Sequence, residues 1–211
     1  MPVDRLPLPP LGVPVIAVLR ADLASRYPPV IDTLVDEGIT GIELTLSTRG
    51  TLDVLPQLAA RYAGHAAIGV GTVTRAEEAE VAAAHAAFIV TPIHAPAVLA
   101  VALTRHVPII SGGLTPTELH AAWSAGAAAV KVFPADVVGR SYIKSLQGPF
   151  PGIRVVPSGG VGIEDAAEWL QAGAVAVSLG GALIGDALRG GALDALRVHA
   201  RRLLANLAIV R

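Results

Sequence analysis

Short runs rich in β-branched residues recur along this chain at intervals of roughly 20 to 27 residues, which is the length of one strand followed by one helix. The stretches between these runs have helical character. Alternation of this kind is typical of parallel sheets, because a helix must carry the chain back to the start of the next strand. The predicted strands are Pro14–Arg20, Gly41–Ser47, Ala67–Val73, Phe88–Ile93, Val107–Gly112, Ala129–Phe133, Arg154–Ser158 and Val175–Leu179.

Eight consecutive strand–helix units predict an α/β fold in which the sheet closes into a (β/α)8 TIM barrel. The competing architecture is an open, doubly wound sheet, which normally carries a glycine-rich dinucleotide turn after its first strand. The first predicted strand is followed by Ala21 and Asp22, and no such turn is present there. No low-complexity linker divides the chain, so residues 1–211 are predicted to form a single domain.

Two helix starts and three helix ends can be read from local signals. Thr74 to Glu77 and Thr115 to Glu118 both match the capping box, in which a hydroxyl and a carboxylate satisfy the first free N–H groups of a helix. Glycines follow three helical stretches, as expected just beyond helix C-termini. These glycines are Gly38, Gly126 and Gly173.

The composition excludes several classes of function. Charged residues make up 16% of the chain and the formal net charge is −1, which gives no electrostatic footprint for nucleic acid or an anionic membrane. No apolar run approaches the roughly 20 residues needed to span a bilayer, and Met1–Arg5 lacks the features of a signal peptide. The absence of cysteine excludes disulfides and thiol catalysis and fits a cytoplasmic protein. The six histidines show no metal-ligand spacing, so no metal site is expected.

Lys131 is one of only two lysines and lies inside the apolar predicted strand Ala129–Phe133. Strand side chains alternate between faces, so Lys131 and Phe133 point to the same side. A lysine among apolar neighbours loses hydration of its charged form, and a neutral amine is a nucleophile that forms Schiff bases with carbonyl compounds. The alternative is a lysine that reaches water from the strand end.

Glu43 stands in a similar position within Gly41–Ser47. Alternation predicts that Glu43, Thr45 and Ser47 share the face that would line the barrel interior. A buried carboxylate needs a partner, and Lys131 is the obvious one. The pair is either a structural ion pair or a nucleophile beside its proton carrier, since Schiff-base chemistry moves several protons near the amine.

Two glycine pairs predict an anion site at the ends of the last two strands. Gly159 and Gly160 follow Ser158, and Gly180 and Gly181 follow the next strand. Glycine leaves the backbone N–H groups open to a ligand, and the loops after strands seven and eight are the usual phosphate site of these barrels. Arg20 ends the first strand, where its guanidinium could bind a substrate carboxylate or simply reach solvent.

This ordered set of segments resembles the 2-keto-3-deoxy-6-phosphogluconate (KDPG) aldolase family, over nearly the whole chain from about Pro14 to Gly185. No single segment is decisive, but their order along the chain is specific. The segments are Ile16–Arg20, Ile42–Thr45, Gly69–Val73, Val90–Pro92, Leu114–Leu119, Val130–Ala135 and Val156–Val161.

The resemblance implies a class I aldolase in which Lys131 forms the Schiff base and Glu43 is the acid and base. The substrate would be a phosphorylated keto acid, cleaved to pyruvate and glyceraldehyde 3-phosphate by a homotrimer that needs no cofactor. The 2-keto-3-deoxy-6-phosphogalactonate and 4-hydroxy-2-oxoglutarate aldolases are alternatives from the same family. Substrate-binding residues implied in the same way are Arg20, Thr72, Pro92, Phe133, Ser158, Gly159, Gly160, Gly180 and Gly181.

The chain departs from the family pattern in places that bear on substrate binding. Ser47 stands where many relatives carry arginine, so Arg20 or Arg49 would have to bind the carboxylate. Ala182 follows the second glycine pair where a serine hydroxyl is common. Two alternatives outside the aldolases remain: a phosphate-binding barrel isomerase or synthase in which Lys131 acts as a charge, and a non-catalytic binding protein on the same scaffold.

Overall fold

The computed structural model of the protein describes residues 5–208. Within this range parallel strands alternate with helices along the chain. The strands are β1 (Val15–Leu19), β2 (Gly41–Thr45), β3 (Ala67–Gly71), β4 (Ile89–Val90), β5 (Ile109–Gly113), β6 (Ala129–Val132), β7 (Val155–Pro157) and β8 (Val177–Leu179). The helices are α1 (Tyr27–Asp36), α2 (Thr51–Arg61), α3 (Ala76–Ala83), α4 (Pro96–Thr104), α5 (Pro116–Ser124), α6 (Ser141–Gln147), α7 (Ala166–Gln171), α8 (Gly181–Ile184) and α9 (Leu193–Ala208).

The eight strands form one parallel sheet in which β1 is paired with both β2 and β8. The remaining gap lies between β7 and β8. It is bridged by a hydrogen bond of 2.9 Å from Val175 N to Val155 O and by the pairing of Ser158 with Ser178. The sheet therefore closes on itself, and the predicted single (β/α)8 barrel is confirmed.

Each predicted strand contains or overlaps an observed strand, but most observed strands are shorter. The difference matters most at β2, which ends at Thr45 because Thr48 N donates to Thr45 O at 3.1 Å and turns the chain. The prediction that Ser47 shares the interior face of β2 is therefore wrong. Ser47 is exposed, and its hydroxyl donates to Oγ1 of Thr45 at 3.1 Å.

One of the two predicted capping boxes is present as expected and the other is displaced. At the start of α5, Glu118 N donates to the Thr115 hydroxyl, and the Glu118 carboxylate accepts from Thr115 N. At α3 the carboxylate that accepts from the chain before the helix is Glu78, so the Thr74–Glu77 assignment is wrong by one residue. The three predicted C-terminal glycines do adopt the left-handed conformation, with φ of 89° at Gly38, 105° at Gly126 and 107° at Gly173.

The core has two layers that correspond to the two faces of the sheet. One face packs against the surrounding helices, and the other fills the lower half of the barrel. The inner cluster comprises Ile16, Ala67, Phe88, Val90, Ile110, Ala129, Val156 and Ala176. Each large apolar side chain in it is almost fully buried, which contributes about 1.5–3 kcal/mol to folding.

The proline-rich segment before β1 closes the N-terminal end of the barrel. Leu8 and Leu11 pack against the inner cluster, and the Thr40 hydroxyl donates to Leu11 O. Nearby, the Arg5 guanidinium stacks 3.7 Å above the Trp123 ring. The lower half of the barrel is therefore filled by apolar side chains. No helix within residues 5–208 has both the length and the apolar character needed to cross a membrane.

Candidate active site

A cavity of about 480 Å³ opens at the C-terminal ends of the strands. It begins one layer above the inner cluster, because side chains on one face of a strand are two residues apart. Lys131, Ser158 and Ser178, each two residues beyond a member of the cluster, line this cavity. The cavity is also lined by every residue to which the family resemblance assigns catalysis or substrate binding: Arg20, Glu43, Thr72, Pro92, Lys131, Phe133, Ser158, Gly159, Gly160, Gly180 and Gly181.

Lys131 and Glu43 meet across the centre of the barrel. Strands β6 and β2 are four positions apart in the sheet, and Lys131 Nζ lies 3.7 Å from Glu43 Oε1. The exposed fraction is 6% for Lys131 and 1% for Glu43. The second carboxylate oxygen, Oε2 of Glu43, has no hydrogen-bond partner within residues 5–208. A buried carboxylate oxygen without a partner is costly, so this atom is available to a water molecule or to a substrate hydroxyl.

Space for the Glu43 carboxylate is made by glycine on the neighbouring strand. Gly71 pairs with Thr45 at the end of β3, and a Cβ atom added to Gly71 would lie only 1.9 Å from Glu43 Oε1. One layer below, a Cβ on Gly69 would meet the Phe88 ring at 2.5 Å. The two inward-facing glycines of β3, Gly69 and Gly71, thus leave space for the Phe88 ring and the Glu43 carboxylate. No sequence pattern marks Gly71 as a functional residue.

Lys131 lies between two strands that leave its amine accessible from above. In the sheet it pairs with Gly112 of β5 on one side and Val156 of β7 on the other. The ring of Phe133 lies 5.7 Å from Lys131 Nζ, a cation–π distance, and the Phe133 side chain is partly exposed at the cavity mouth. The amine is therefore desolvated by the barrel wall while one direction stays open to a ligand.

Thr72 has a strained backbone at the cavity wall. Its φ is +61°, a left-handed conformation that is unusual for a β-branched residue and costs about 1–3 kcal/mol. Strain of this kind persists only where the surrounding structure enforces it, and here Val73 N bonds to Val90 O just beyond Thr72. The conformation holds the Thr72 side chain at the cavity.

The loop after β7 presents backbone rather than side chains to the cavity. Gly159 and Gly160 have φ of +83° and +72°, and the Gly159 carbonyl accepts from the N–H groups of Ala135 and Asp136 at 3.2 Å. A Cβ on Gly160 would collide with the Asp136 side chain at 2.3 Å. Glycine is therefore required for both the turn and the close approach of the two loops. A ligand can come within hydrogen-bonding distance of backbone here.

A buried hydroxyl network supports the other wall of the site. The Tyr27 hydroxyl contacts the Thr51 hydroxyl at 3.0 Å, and the Thr51 hydroxyl donates to Thr45 O at 3.0 Å. Burial raises the pKa of Tyr27, so its hydroxyl stays protonated. On the opposite side of the turn, Ala21 N donates to the Thr48 hydroxyl at 2.9 Å. These bonds connect the ends of β1 and β2, where Arg20 and Glu43 are carried.

Several polar residues near strand ends do not line the cavity. Ser47 and Arg49 are exposed on the loop after β2, so neither stands beside Arg20 in the cavity wall. The Thr91 hydroxyl is used within the fold, since it accepts from Gly112 N at 3.0 Å and donates to Ile93 O at 2.6 Å. His94 is also outside the cavity lining.

Ser178 and Arg189 line the cavity although the sequence assigns neither of them to substrate. Ser178 is 2% exposed, and its hydroxyl has no partner within residues 5–208. Arg189 ends a short helical turn, Ala187–Arg189, that follows α8. Because this turn is far along the chain from the end of β8, no sequence pattern connects Arg189 with the cavity. In the same described range no group of three or more acidic, histidine or cysteine side chains is arranged to hold a metal ion.

A buried lysine and carboxylate at the base of a cavity on the C-terminal face of a closed barrel define a (β/α)8-barrel enzyme. The model of the KDPG and KHG aldolase family matches residues 11–198, and the chain belongs to that family. It is therefore an aldolase, a member of the lyases.

Individual relatives agree with this assignment. A probable 2-dehydro-3-deoxy-6-phosphogalactonate aldolase of Rhizobium meliloti is 34% identical over 182 residues, 85% of this chain and 86% of the relative. The 2-dehydro-3-deoxy-phosphogluconate aldolase of Dickeya dadantii is 33% identical over 198 residues, 92% of each chain. The solved structure of native KDPGal is 29% identical, with a TM-score of 0.87 over 94% of this chain and 96% of that chain.

Proposed function

We propose that this aldolase uses Schiff-base chemistry at Lys131 to cleave 2-keto-3-deoxy-6-phosphogluconate into pyruvate and glyceraldehyde 3-phosphate. The observation that carries the proposal is the buried contact of 3.7 Å between Lys131 Nζ and Glu43 Oε1 at the base of an otherwise open cavity. A purely structural ion pair gains nothing from an open cavity above it. A nucleophile and its proton carrier need one.

The reaction begins when the neutral amine of Lys131 attacks the C2 carbonyl carbon of the substrate. The carbinolamine loses water to give a protonated imine, which withdraws electrons from C3. Glu43, directly or through one water, accepts the proton of the C4 hydroxyl as the C3–C4 bond breaks. The aldehyde leaves, and the bonding electrons form an enamine with C3. Protonation of C3 by the Glu43 acid and hydrolysis of the imine then release pyruvate and restore Lys131.

The free carboxylate oxygen supports this role for Glu43. Oε1 faces Lys131, while Oε2 has no partner in the described chain. One oxygen can therefore balance the charge of the amine, and the other can exchange protons with substrate. General acid–base catalysis by a positioned group contributes about 10²–10⁴ in rate. Glu43→Gln should lower turnover by that factor while leaving the lysine in place.

The rest of the lining supports a substrate that is anionic at both ends. In the proposal Arg20 binds the carboxylate bidentately, and Thr72, Pro92 and Phe133 enclose the pyruvyl carbons. The backbone of Gly159, Gly160, Gly180 and Gly181 binds the phosphate beside the Ser158 hydroxyl. No cofactor is needed, because the imine itself stabilises the developing carbanion.

Cleavage of the C4 epimer, 2-keto-3-deoxy-6-phosphogalactonate, is the second candidate. It is favoured by the similarity to the Rhizobium meliloti protein, which is as close in identity as the phosphogluconate relatives. Turnover of 4-hydroxy-2-oxoglutarate, which has no phosphate, is the third. Comparison of kcat/KM for the three substrates separates them, since kcat/KM reports stabilisation of the transition state.

Borohydride reduction in the presence of pyruvate tests the chemistry. We expect a reduced pyruvyl adduct on the wild-type protein, located at Lys131 by peptide mass analysis, and none on Lys131→Ala. The matched control is Lys144→Ala, because Lys144 is the other lysine of the chain and lies exposed on α6. An adduct on the Lys131→Ala variant, or none on the folded wild type, would exclude the proposed role.

Homotrimer assembly and a cytoplasmic location are the remaining parts of the proposal. The homotrimer rests on the family resemblance, and the cytoplasmic location rests on the absence of cysteine. Exposed apolar side chains at Ile93, Phe133 and Val137 support an assembly, because they follow β4 and β6 at the cavity end of the barrel and a neighbouring subunit could cover them.

A further inference from the structure

The described arginines differ in whether the guanidinium has an acidic partner. Seven arginines on the outer surface form ion pairs with nearby carboxylates at 4 Å or less. They are Arg61, Arg75, Arg105, Arg140, Arg197, Arg201 and Arg202. Arg20 and Arg189 line the cavity, and neither guanidinium forms an ion pair or hydrogen bond within residues 5–208. Arg26, Arg49 and Arg154 lie outside the cavity and also lack an ion pair in the described part of the chain, so what distinguishes Arg20 and Arg189 is that their unpaired charges line the cavity.

The charges that line the cavity do not balance. Its charged residues are Arg20, Lys131, Arg189 and Glu43, three cations against one anion. Glu43 is already within 3.7 Å of Lys131, so two positive charges remain. Neither Asp136 nor Asp186 lines the cavity: the Asp136 carboxylate packs against Gly160 in the cavity wall, and the Asp186 carboxylate lies beside Gly191.

Arg189 reaches the cavity on the side of the second glycine pair. It shares the lining with Gly180, Gly181, Gly185 and Leu188, which all lie in the segment between the end of β8 and Arg189. These neighbours carry no side-chain hydrogen-bond donor. Arg189 is the cationic residue of this segment. Its guanidinium is therefore the formal positive charge that the segment offers to an anion bound at the backbone of these neighbours. Arg26, 3.9 Å from the position of a Cβ on Gly190, adds a second cation behind it.

We propose that Arg189 is a further phosphate-binding residue, which contacts the terminal phosphate through its guanidinium and makes the enzyme prefer phosphorylated substrates. This inference rests on the proposed function. In that function Arg20 binds the substrate carboxylate, and the inference assigns the other excess positive charge of the cavity, that of Arg189, to the substrate phosphate. Guanidinium matches the geometry of phosphate oxygens, and such a bond is worth about tenfold to a hundredfold in affinity.

The test uses the reverse reaction, in which pyruvate adds to an aldehyde. Wild type, Arg189→Ala and Arg189→Lys are compared with D-glyceraldehyde 3-phosphate and with D-glyceraldehyde as acceptors. The matched control is Arg154→Ala, because Arg154 also lacks an ion pair but precedes β7 at the opposite end of the barrel. Borohydride trapping of pyruvate is measured on every variant.

We expect kcat/KM for glyceraldehyde 3-phosphate to fall about tenfold to a hundredfold in Arg189→Ala, mainly through KM. The value for glyceraldehyde should stay within about twofold, Arg189→Lys should recover part of the loss, and pyruvate trapping should be unchanged. Wild-type kinetics with both acceptors in Arg189→Ala would overturn the inference. An equal loss on both acceptors would also overturn it, because the role would then be structural. Failure of wild type to trap pyruvate would instead refute the proposed function.

Discussion

Gly71 links the backbone directly to the position of Glu43, the proposed proton carrier. A Cβ atom at Gly71 would lie 1.9 Å from Oε1, 2.4 Å from Cδ and 2.5 Å from Cγ of Glu43, whereas ordinary contacts begin near 3.5 Å. In Gly71→Ala the carboxylate must therefore move by about 1.5 Å, and at 1% exposure it has little room except towards the cavity. A displacement of about 1 Å can cost 10²-fold in rate, so we expect kcat/KM to fall by about that factor. Crowding should also lower stability by about 1–3 kcal/mol.

The assay is steady-state aldol addition of pyruvate to glyceraldehyde 3-phosphate, together with denaturant unfolding and pyruvate trapping. The matched control is Gly148→Ala at the end of α6, where φ is −56° and the nearest atom to an added Cβ is 3.8 Å away. It should keep wild-type activity. A folded Gly71→Ala protein with wild-type kcat/KM would refute the reasoning, since either Glu43 would not need its position or it would not carry the proton.

Two further predictions concern backbone strain and pH. Thr72→Gly removes the cost of a φ of +61°, so the free energy of unfolding in urea should be unchanged or higher by up to about 1 kcal/mol. The value of kcat/KM should fall, because the Thr72 hydroxyl is lost from the cavity. A loss of stability would contradict the assigned strain. The hydrogen bond from the Thr115 hydroxyl, with those from the Thr115 and Leu114 amides, lowers the pKa of Glu118. The Glu118 carboxylate therefore stabilises the fold fully above the ordinary carboxyl pKa, and this stabilisation is lost as pH falls through the pKa of the folded state. The Tm difference between wild type and Glu118→Gln should therefore shrink on acidification below about pH 4.5. A difference that is constant from pH 7 to pH 3 would contradict it.

Most of the fold could be predicted because two periodicities are independent of tertiary detail. The strand–helix repeat predicts the barrel, and the alternation within Ala129–Phe133 and Gly41–Ser47 predicts that Lys131 and Glu43 face inward. Their meeting at 3.7 Å follows from closure, which brings strands four positions apart face to face. Strand ends were less predictable, because β2 stops where a backbone hydrogen bond to Thr45 forms and not where the alternation stops.

What the sequence could not predict depends on contacts distant along the chain. A glycine in a strand usually indicates a weak strand or a bulge. The importance of Gly71 depends on its contact with the carboxylate of Glu43, which lies 28 positions earlier in the chain. Arg189 has no motif, because its position follows from the length of the segment after β8. The role of the segment Leu6–Leu11 likewise appears only when Leu8 and Leu11 are seen against the barrel interior.

Lys131 and Glu43 lie at the boundary between two halves of the barrel, so the same scaffold can serve both stability and the proposed chemistry. Below Lys131 and Glu43 the interior is filled by the inner cluster and closed by Leu8 and Leu11, so water cannot reach the pair from that side. Above them lies the open cavity. Burial from below strengthens the interaction between the amine and the carboxylate, whereas access from above lets a carbonyl compound take the place of solvent. A pair one layer deeper would be an inert ion pair, and one layer higher it would be solvated like any surface lysine and glutamate.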